Sequence, residues 1–196
     1  MARPARFSDD DILDGAAHAL SVSGPRATIA DVARSIGGPT GSIYHRFPSR
    51  DDVFARLWLR SIGRFHVGLL AAYDLDDPHE AVRAAARHIP AFCRAHPEEA
   101  RSMLLYRQSA LAAEGPLGVR DDAAHINDDI DAAMDGLLAR RFADPTPHRR
   151  ELLSMGTRLA PYGIVRPFIG TAIPDWVDDA VAASAEAIVR LGDPTT

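Results

Sequence analysis

The stretch TIADVARSIGGPTGSIYHRFPSRDDVF, residues 28–54, predicts two short helices, a tight turn between them and the capped start of a third helix. A threonine hydroxyl can accept a hydrogen bond from a free N–H group at a helix start. Asp31 follows Thr28 by three residues, where a carboxylate is favoured by the helix dipole. Apolar residues then recur with helical spacing, at Ile29, Val32, Ala33 and Ile36. The stretch is therefore expected to begin with an amphipathic helix.

The turn and the second short helix follow from the next ten residues. Gly37 and Gly38 are expected to end the first helix, because glycine readily adopts the positive φ found at helix ends. Pro39 can open the next helix, where its missing N–H costs little. Ile43 and Phe47 give that helix an inward apolar side, and its other faces carry Thr40, Ser42, Tyr44, His45 and Arg46. Such polar groups contact phosphates and base edges, so the pattern favours a helix that reads nucleic acid.

This stretch resembles the helix-turn-helix of TetR-family transcriptional regulators. The matching residues run through three helices in unbroken register: Thr28, Ile29, Val32, Ala33, Gly37, Gly41, Ile43, Tyr44, Phe47, Ser49, Arg50 and Phe54. The resemblance implies a helix-turn-helix DNA-binding domain at residues 1–55 and a helical ligand-binding and dimerisation domain at residues 56–196. The chain departs from the family at Gly38, Pro39 and Thr40, where members often carry an apolar residue, a polar cap and a lysine.

The resemblance also implies which residues touch DNA. The predicted contacts are Thr40, Ser42, Tyr44 and His45 on the second short helix, Thr28 and Arg50 at helix starts, Arg46 beside them, and Arg3 and Arg6 in an N-terminal arm. Three alternatives stay open: Tyr44 packs partly beside Phe47, Arg46 is exposed or paired within the protein, and the arm is a solvated tail. Gly41 is expected to allow close packing of helices and not to contact DNA.

Composition and charge are those of an ordinary globular chain. Of the 196 residues, 46% are apolar and 25% are charged. The net charge is −5, but residues 1–50 carry six arginines against five aspartates, so the acidity lies outside the predicted DNA-binding part. The single cysteine, Cys93, excludes an internal disulfide. Because neither a membrane-spanning run nor a signal peptide is evident, we expect a cytoplasmic protein without a membrane partner.

The rest of the chain predicts further helices and no strand pattern. With the two short helices described above, about nine helices are expected, the others at residues 8–22, 50–73, 78–95, 97–113, 119–142, 148–171 and 174–191. The predicted fold is all-α: a three-helix head joined by a long helix to a C-terminal helical bundle. Pro90 is expected to kink its helix or end it early. Pro161 and Pro167 are expected to bend or interrupt theirs, which puts a simple dimerising bundle of the last two helices in doubt.

Large, soft side chains in the second half predict an effector pocket. The candidate lining residues are Phe92, Met103, Tyr106, Met134, Met155 and Tyr162, with His88 and His125 as polar neighbours. Such a wall suits a mainly apolar ligand with one or two polar groups. The alternative is that most of these residues are ordinary core.

An enzyme would need a catalytic constellation. His125, Asp128 and Asp129 have the i, i+3, i+4 spacing of one helical face and could in principle hold a metal, with His88 and His96 as further candidates. The alternative, a solvated charged face, is favoured. The sequence contains no phosphate loop, nucleophile elbow or glycine fingerprint. We therefore expect neither enzymatic activity nor a metal or cofactor.

Together these features predict a homodimeric, ligand-responsive transcriptional regulator that binds double-stranded operator DNA at an inverted repeat. Repression, relieved by a small effector, is favoured, and activation remains open. The rival interpretation is a helical small-molecule-binding or dimeric interaction protein that has lost DNA binding.

Overall fold

The computed structural model describes residues 7–194, and all regular structure in that range is helical, which confirms the predicted all-α class. Its α-helices are α1 Asp9–Ser23, α2 Ile29–Ser35, α3 Thr40–Tyr44, α4 Arg50–Tyr73, α5 Pro78–Ala95, α6 Pro97–Ser102, α7 Gln108–Glu114, α8 Arg120–His125, α9 Asp128–Arg141, α10 Pro147–Ser154, α11 Ala160–Val165 and α12 Trp176–Arg190. No helix in this range is long and apolar enough to cross a membrane.

Two helices of the head begin with the same reciprocal cap. At α1 the Ser8 N–H donates to Asp11 Oδ2 at 2.7 Å, and the Asp11 N–H donates back to Ser8 Oγ at 3.1 Å. At α2 the Thr28 N–H donates to Asp31 Oδ2 at 2.9 Å, and the Asp31 N–H donates to Thr28 Oγ1 at 3.2 Å. Such boxes satisfy donors that a helix start leaves free, and they fix where each helix begins.

The described residues form two compact units. Unit 1 runs to Ile62 and includes Glu98–Ile126, and unit 2 comprises Gly63–Pro97 and the chain from Asn127 onward. Unit 1 has one core from α1 to the start of α4, and a second cluster in which Trp58 packs with Leu111 and Val119. Unit 2 has its own core, in which α5 packs against α12.

The compact units differ from the predicted domain limits because α6, α7 and α8 belong to unit 1. The Trp58 indole donates to the Met103 carbonyl at 3.2 Å, which links α4 to the turn after α6. The predicted helix at 97–113 is accordingly divided into α6 and α7, and that at 119–142 into α8 and α9. Division of the chain by function at residue 55 stays a prediction.

Proline has different effects in two helices of unit 2. α5 continues past the buried Pro90 to Ala95, so the expected early end is wrong. The predicted interruption of 148–171 is present, because Met155–Leu159 is a π-helical segment in which the Ala160 N–H donates to the Met155 carbonyl. Its Thr157 hydroxyl lies 2.8 Å from the buried Tyr73 hydroxyl. Since Pro161 has no N–H, the wider π turn just before it accommodates the proline.

Candidate nucleic-acid interface

The short helix α3 is held by two buried side chains. Ile43 and Phe47 are almost completely buried in the core of unit 1, together with Val32 and Phe54. The Phe47 N–H donates to the Ile43 carbonyl at 2.9 Å, which closes the last turn. Five residues are too few to form a stable helix alone, so α3 depends on this anchor.

The outer side of α3 carries polar side chains that the protein itself does not use. Thr40, Tyr44 and His45 are exposed and Ser42 is half-buried, and none of their side chains forms a hydrogen bond or ion pair with another residue in 7–194. Tyr44 is 52% exposed, so most of its ring is not packed beside Phe47. The structure thus brings four of the predicted DNA contacts together, with their polar groups available to a partner.

Gly41 lies among these residues, and its predicted packing role is wrong. A Cβ atom added at Gly41 would meet no other atom within 4 Å, and the residue is exposed. The sequence alone suggests packing because glycine is often found where helices meet. Here the open space lies outside the protein, so the glycine leaves room for something that approaches α3.

The other three described candidates are engaged within unit 1. Arg46 forms an ion pair with Asp9, as in the alternative that Arg46 is paired within the protein. Arg50 donates from Nε to the Ala27 carbonyl at 2.7 Å and from Nη2 to the Pro25 carbonyl at 2.6 Å. The Thr28 hydroxyl donates to Asp31 at 2.7 Å. These bonds stabilise the head, and they leave each side chain with fewer free donors for a phosphate.

The caps also lower the pKa of the aspartates that take part in them. Hydrogen bonds from Thr28, strengthened by Arg34, lower the pKa of Asp31 to about 2. Hydrogen bonds from Ser8 likewise lower the pKa of Asp11. Both carboxylates therefore stay ionised to a lower pH than a free aspartate does, and the caps persist to that pH.

Two residues near the starts of α2 and α3 were missed by the sequence interpretation. A Cβ at Gly38 would come within 2.6 Å of Cε2 in the Phe7 ring, so Phe7 occupies the space that a larger residue would need. Arg26 is exposed just before α2 and has no hydrogen-bond or ion-pair partner among residues 7–194. Its position two residues before the Thr28 cap is the feature of the sequence from which it could have been predicted as a phosphate contact. Arg3 and Arg6 lie outside the described residues.

The structure divides the predicted effector-pocket residues between the two units. Met103, Tyr106 and His125 belong to unit 1, and the other five belong to unit 2. Within unit 2, Phe92 and Met134 are buried core, and the His88 ring lies 5.9 Å from that of Phe92, centroid to centroid. Met155 and Tyr162 are exposed on the surface of unit 2. Helical spacing predicts which residues share a face but not which helices pack together.

The residues considered as a metal site are not on one helix. His125 ends α8, and Asp128 and Asp129 begin α9 after a turn at residues 126–127. His125 lies 3.9 Å from Asp121. Among the described residues no group of three or more His, Cys, Asp or Glu side chains is placed to hold a metal ion.

Comparison with known proteins agrees with this architecture. Residues 12–57 match the model of bacterial regulatory proteins of the tetR family. No curated protein matches the chain significantly. A transcriptional regulator from Rhodococcus sp. Rha1 is similar in structure, with a TM-score of 0.73 and 20% identity, covering 97% of this chain and 100% of its own.

Two further solved structures show the same likeness. The TetR-family regulator PfmR from Thermus thermophilus has a TM-score of 0.68 and 21% identity, covering 91% of this chain and 97% of its own. The regulator FadR from Bacillus subtilis, solved in complex with stearoyl-CoA, has a TM-score of 0.61 and 15% identity, covering 94% and 97%. At these identities the likeness establishes the fold. Residues 12–57 therefore carry the N-terminal domain of the TetR family, and the chain has the fold of TetR-family transcriptional regulators.

Proposed function

We propose that this protein is a ligand-responsive transcriptional regulator that binds an inverted-repeat operator as a homodimer. The main support is the group formed by Thr40, Ser42, Tyr44 and His45, whose side-chain polar atoms have no partner in the described part of the chain. Side chains of this kind donate to phosphates and base edges. Gly41 lies open among them, so a DNA backbone can come close to α3.

The intramolecular bonds support two different roles for the predicted contacts. Thr40, Ser42, Tyr44 and His45 touch DNA directly, with Arg26 on a phosphate. Thr28, Arg46 and Arg50 mainly position α2 and α3, because their hydrogen bonds lie within unit 1. The arm residues Arg3 and Arg6 are proposed to add phosphate or minor-groove contacts.

An exposed apolar stripe in unit 2 supports the homodimer. Met155, Leu159 and Tyr162 follow one another at i, i+4 and i+7 along the helical run through the π segment, and Leu159 is 54% exposed. Trp176 is exposed at the start of α12, which packs against that run. Exposed apolar residues on neighbouring helices are typical of protein interfaces. A second copy of the chain covers this stripe in the proposed dimer.

Selection of duplexes from a random DNA library tests the proposal. The unliganded dimer is expected to enrich an inverted repeat whose half-sites lie about one helical turn apart, matching two copies of α3. Enrichment of no sequence would favour the rival function, a helical ligand-binding protein without DNA binding. Release by an effector is then tested with a panel of mainly apolar compounds. A long-chain acyl-CoA, the class of ligand bound in the FadR structure, is tested beside this panel.

The dimer surface is tested separately by sedimentation. Leu159→Asp places a charge in the apolar stripe and is expected to raise the dimer dissociation constant at least tenfold. Leu75→Asp is the matched control, because Leu75 is 39% exposed in the turn after α4, outside the stripe. Equal dissociation constants for the two variants would contradict the proposed surface.

A further inference from the structure

A cleft of about 420 Å³ lies within unit 1, apart from the residues of α3. Its apolar wall comes from Phe54 on α4, Leu105 before α7 and Leu111 on α7. This volume falls within the range of small-molecule sites in proteins, which are mostly apolar with a few placed polar groups.

One tyrosine that lines the cleft has a hydroxyl group that forms no hydrogen bond within the described part of the protein. Tyr106 is half-buried and lines the cleft, and its hydroxyl has no hydrogen-bond partner among residues 7–194. Burial raises the pKa of Tyr106, with Asp51 raising it further and Arg50 lowering it. The hydroxyl is therefore neutral and can either donate to a ligand or accept from one.

The charges around the cleft favour a cation. Arg50 and Asp51 neutralise each other, since Arg50 Nη1 lies 3.1 Å from Asp51 Oδ1 and the guanidinium stacks on Phe54 at 4.6 Å. Glu114 also lines the cleft, is exposed, and has no ion-pair partner in the described part of the chain. The cleft thus combines an apolar wall, a tyrosine oxygen and one uncompensated carboxylate.

We propose that the unit 1 cleft binds a compact apolar molecule that carries one basic amine. The apolar body packs against Phe54, Leu105 and Leu111, and the ammonium group donates to Tyr106 Oη and lies beside the Glu114 carboxylate. An anionic ligand is disfavoured, because Arg50 already donates to Asp51 and to two backbone carbonyls.

Occupancy of the cleft can affect the head through Arg50. This side chain lines the cleft and holds the carbonyls of Pro25 and Ala27, directly before the Thr28 cap of α2. A ligand that shifts the guanidinium therefore loosens the start of α2. This coupling rests on the proposed DNA-binding function, whereas ligand binding itself does not. Couplings of this kind typically change affinity about 5- to 150-fold.

Three probes of one shape test the site by isothermal titration calorimetry of the full chain: 1-naphthylmethylamine, 1-naphthylmethanol and 1-naphthoate. The amine is expected to bind at least fivefold more tightly than the alcohol, and the carboxylate most weakly. Glu114→Gln is expected to remove the preference for the amine over the alcohol. Tyr106→Phe is expected to weaken amine binding about three- to tenfold.

Glu151→Gln is the control, because Glu151 is an exposed acid of unit 2 and lies outside the cleft. Amine binding that is absent, or equal in Glu114→Gln, Glu151→Gln and the parent protein, would overturn the site. The protein could bind the three probes in the expected order and yet enrich no DNA sequence. That result would confirm the site and contradict the proposed DNA-binding function. If DNA binds but saturating amine leaves its affinity unchanged, the coupling through Arg50 is wrong.

Discussion

Tyr44→Phe removes one hydroxyl from the proposed DNA-binding face and leaves the ring in place. Because Tyr44 is 52% exposed and its hydroxyl has no partner among residues 7–194, the free energy of unfolding should change by less than about 0.5 kcal/mol. A hydrogen bond contributes about 1 kcal/mol, and a dimer presents the residue twice. The loss of binding free energy per operator is therefore about 2 kcal/mol, which corresponds to a dissociation constant roughly 30-fold larger.

Fluorescence anisotropy with a duplex enriched by the parent protein measures this loss, and thermal melting measures stability. Tyr162→Phe is the matched control, because Tyr162 is 38% exposed in unit 2 and the change keeps the ring that the dimer surface needs. An affinity within twofold of the parent value for Tyr44→Phe would refute the reasoning. So would a melting temperature lowered by more than about 5 °C, since that would make Tyr44 a structural residue.

Three further predictions follow from single residues. Gly41→Ala should not lower the melting temperature but should weaken DNA binding, whereas Gly63→Ala, which is equally open and lies outside the dimer stripe, should leave binding unchanged; equal binding by both variants would contradict a close approach of DNA at α3. Ser8→Ala should lower the free energy of unfolding by about 1 kcal/mol in urea through loss of the α1 cap, without altering DNA affinity. Burial and the nearby Arg158 lower the pKa of His66 to about 4 from 6.5, so the unfolded chain takes up the proton first. Stability should therefore fall as pH drops from 6.5 toward 4, and His66→Gln should flatten that part of the urea-midpoint profile; an unchanged profile would contradict this assignment.

Features set by near neighbours in the chain were predictable from the sequence. The caps at Ser8 and Thr28 involve residues three apart, so composition and spacing suffice to place them. The inward pair Ile43 and Phe47 follows from helical periodicity, and with it the outward polar face of α3. For the same local reason, the cluster of glycines and prolines in 148–171 predicted an interrupted helix.

Features set by distant contacts were not predictable in this way. The Trp58 bond to Met103 spans 45 residues, and periodicity gives no sign that α6–α8 belong to unit 1. The bonds of Arg50 to the Ala27 and Pro25 carbonyls likewise span 23 and 25 residues. An arginine at a helix start has the same local sequence with or without such bonds, so they could not be predicted, and the positioning role proposed for Arg50 depends on them.

If the polar face of α3 reads a specific DNA sequence, the ratio of two dissociation constants shows it most directly. The parent dimer is titrated by anisotropy with its enriched inverted repeat and with a scrambled duplex of the same length, at about 0.15 M salt. We predict that the inverted repeat binds at least about 10³-fold more tightly. Equal affinity for the two duplexes, or binding to neither, would contradict the account.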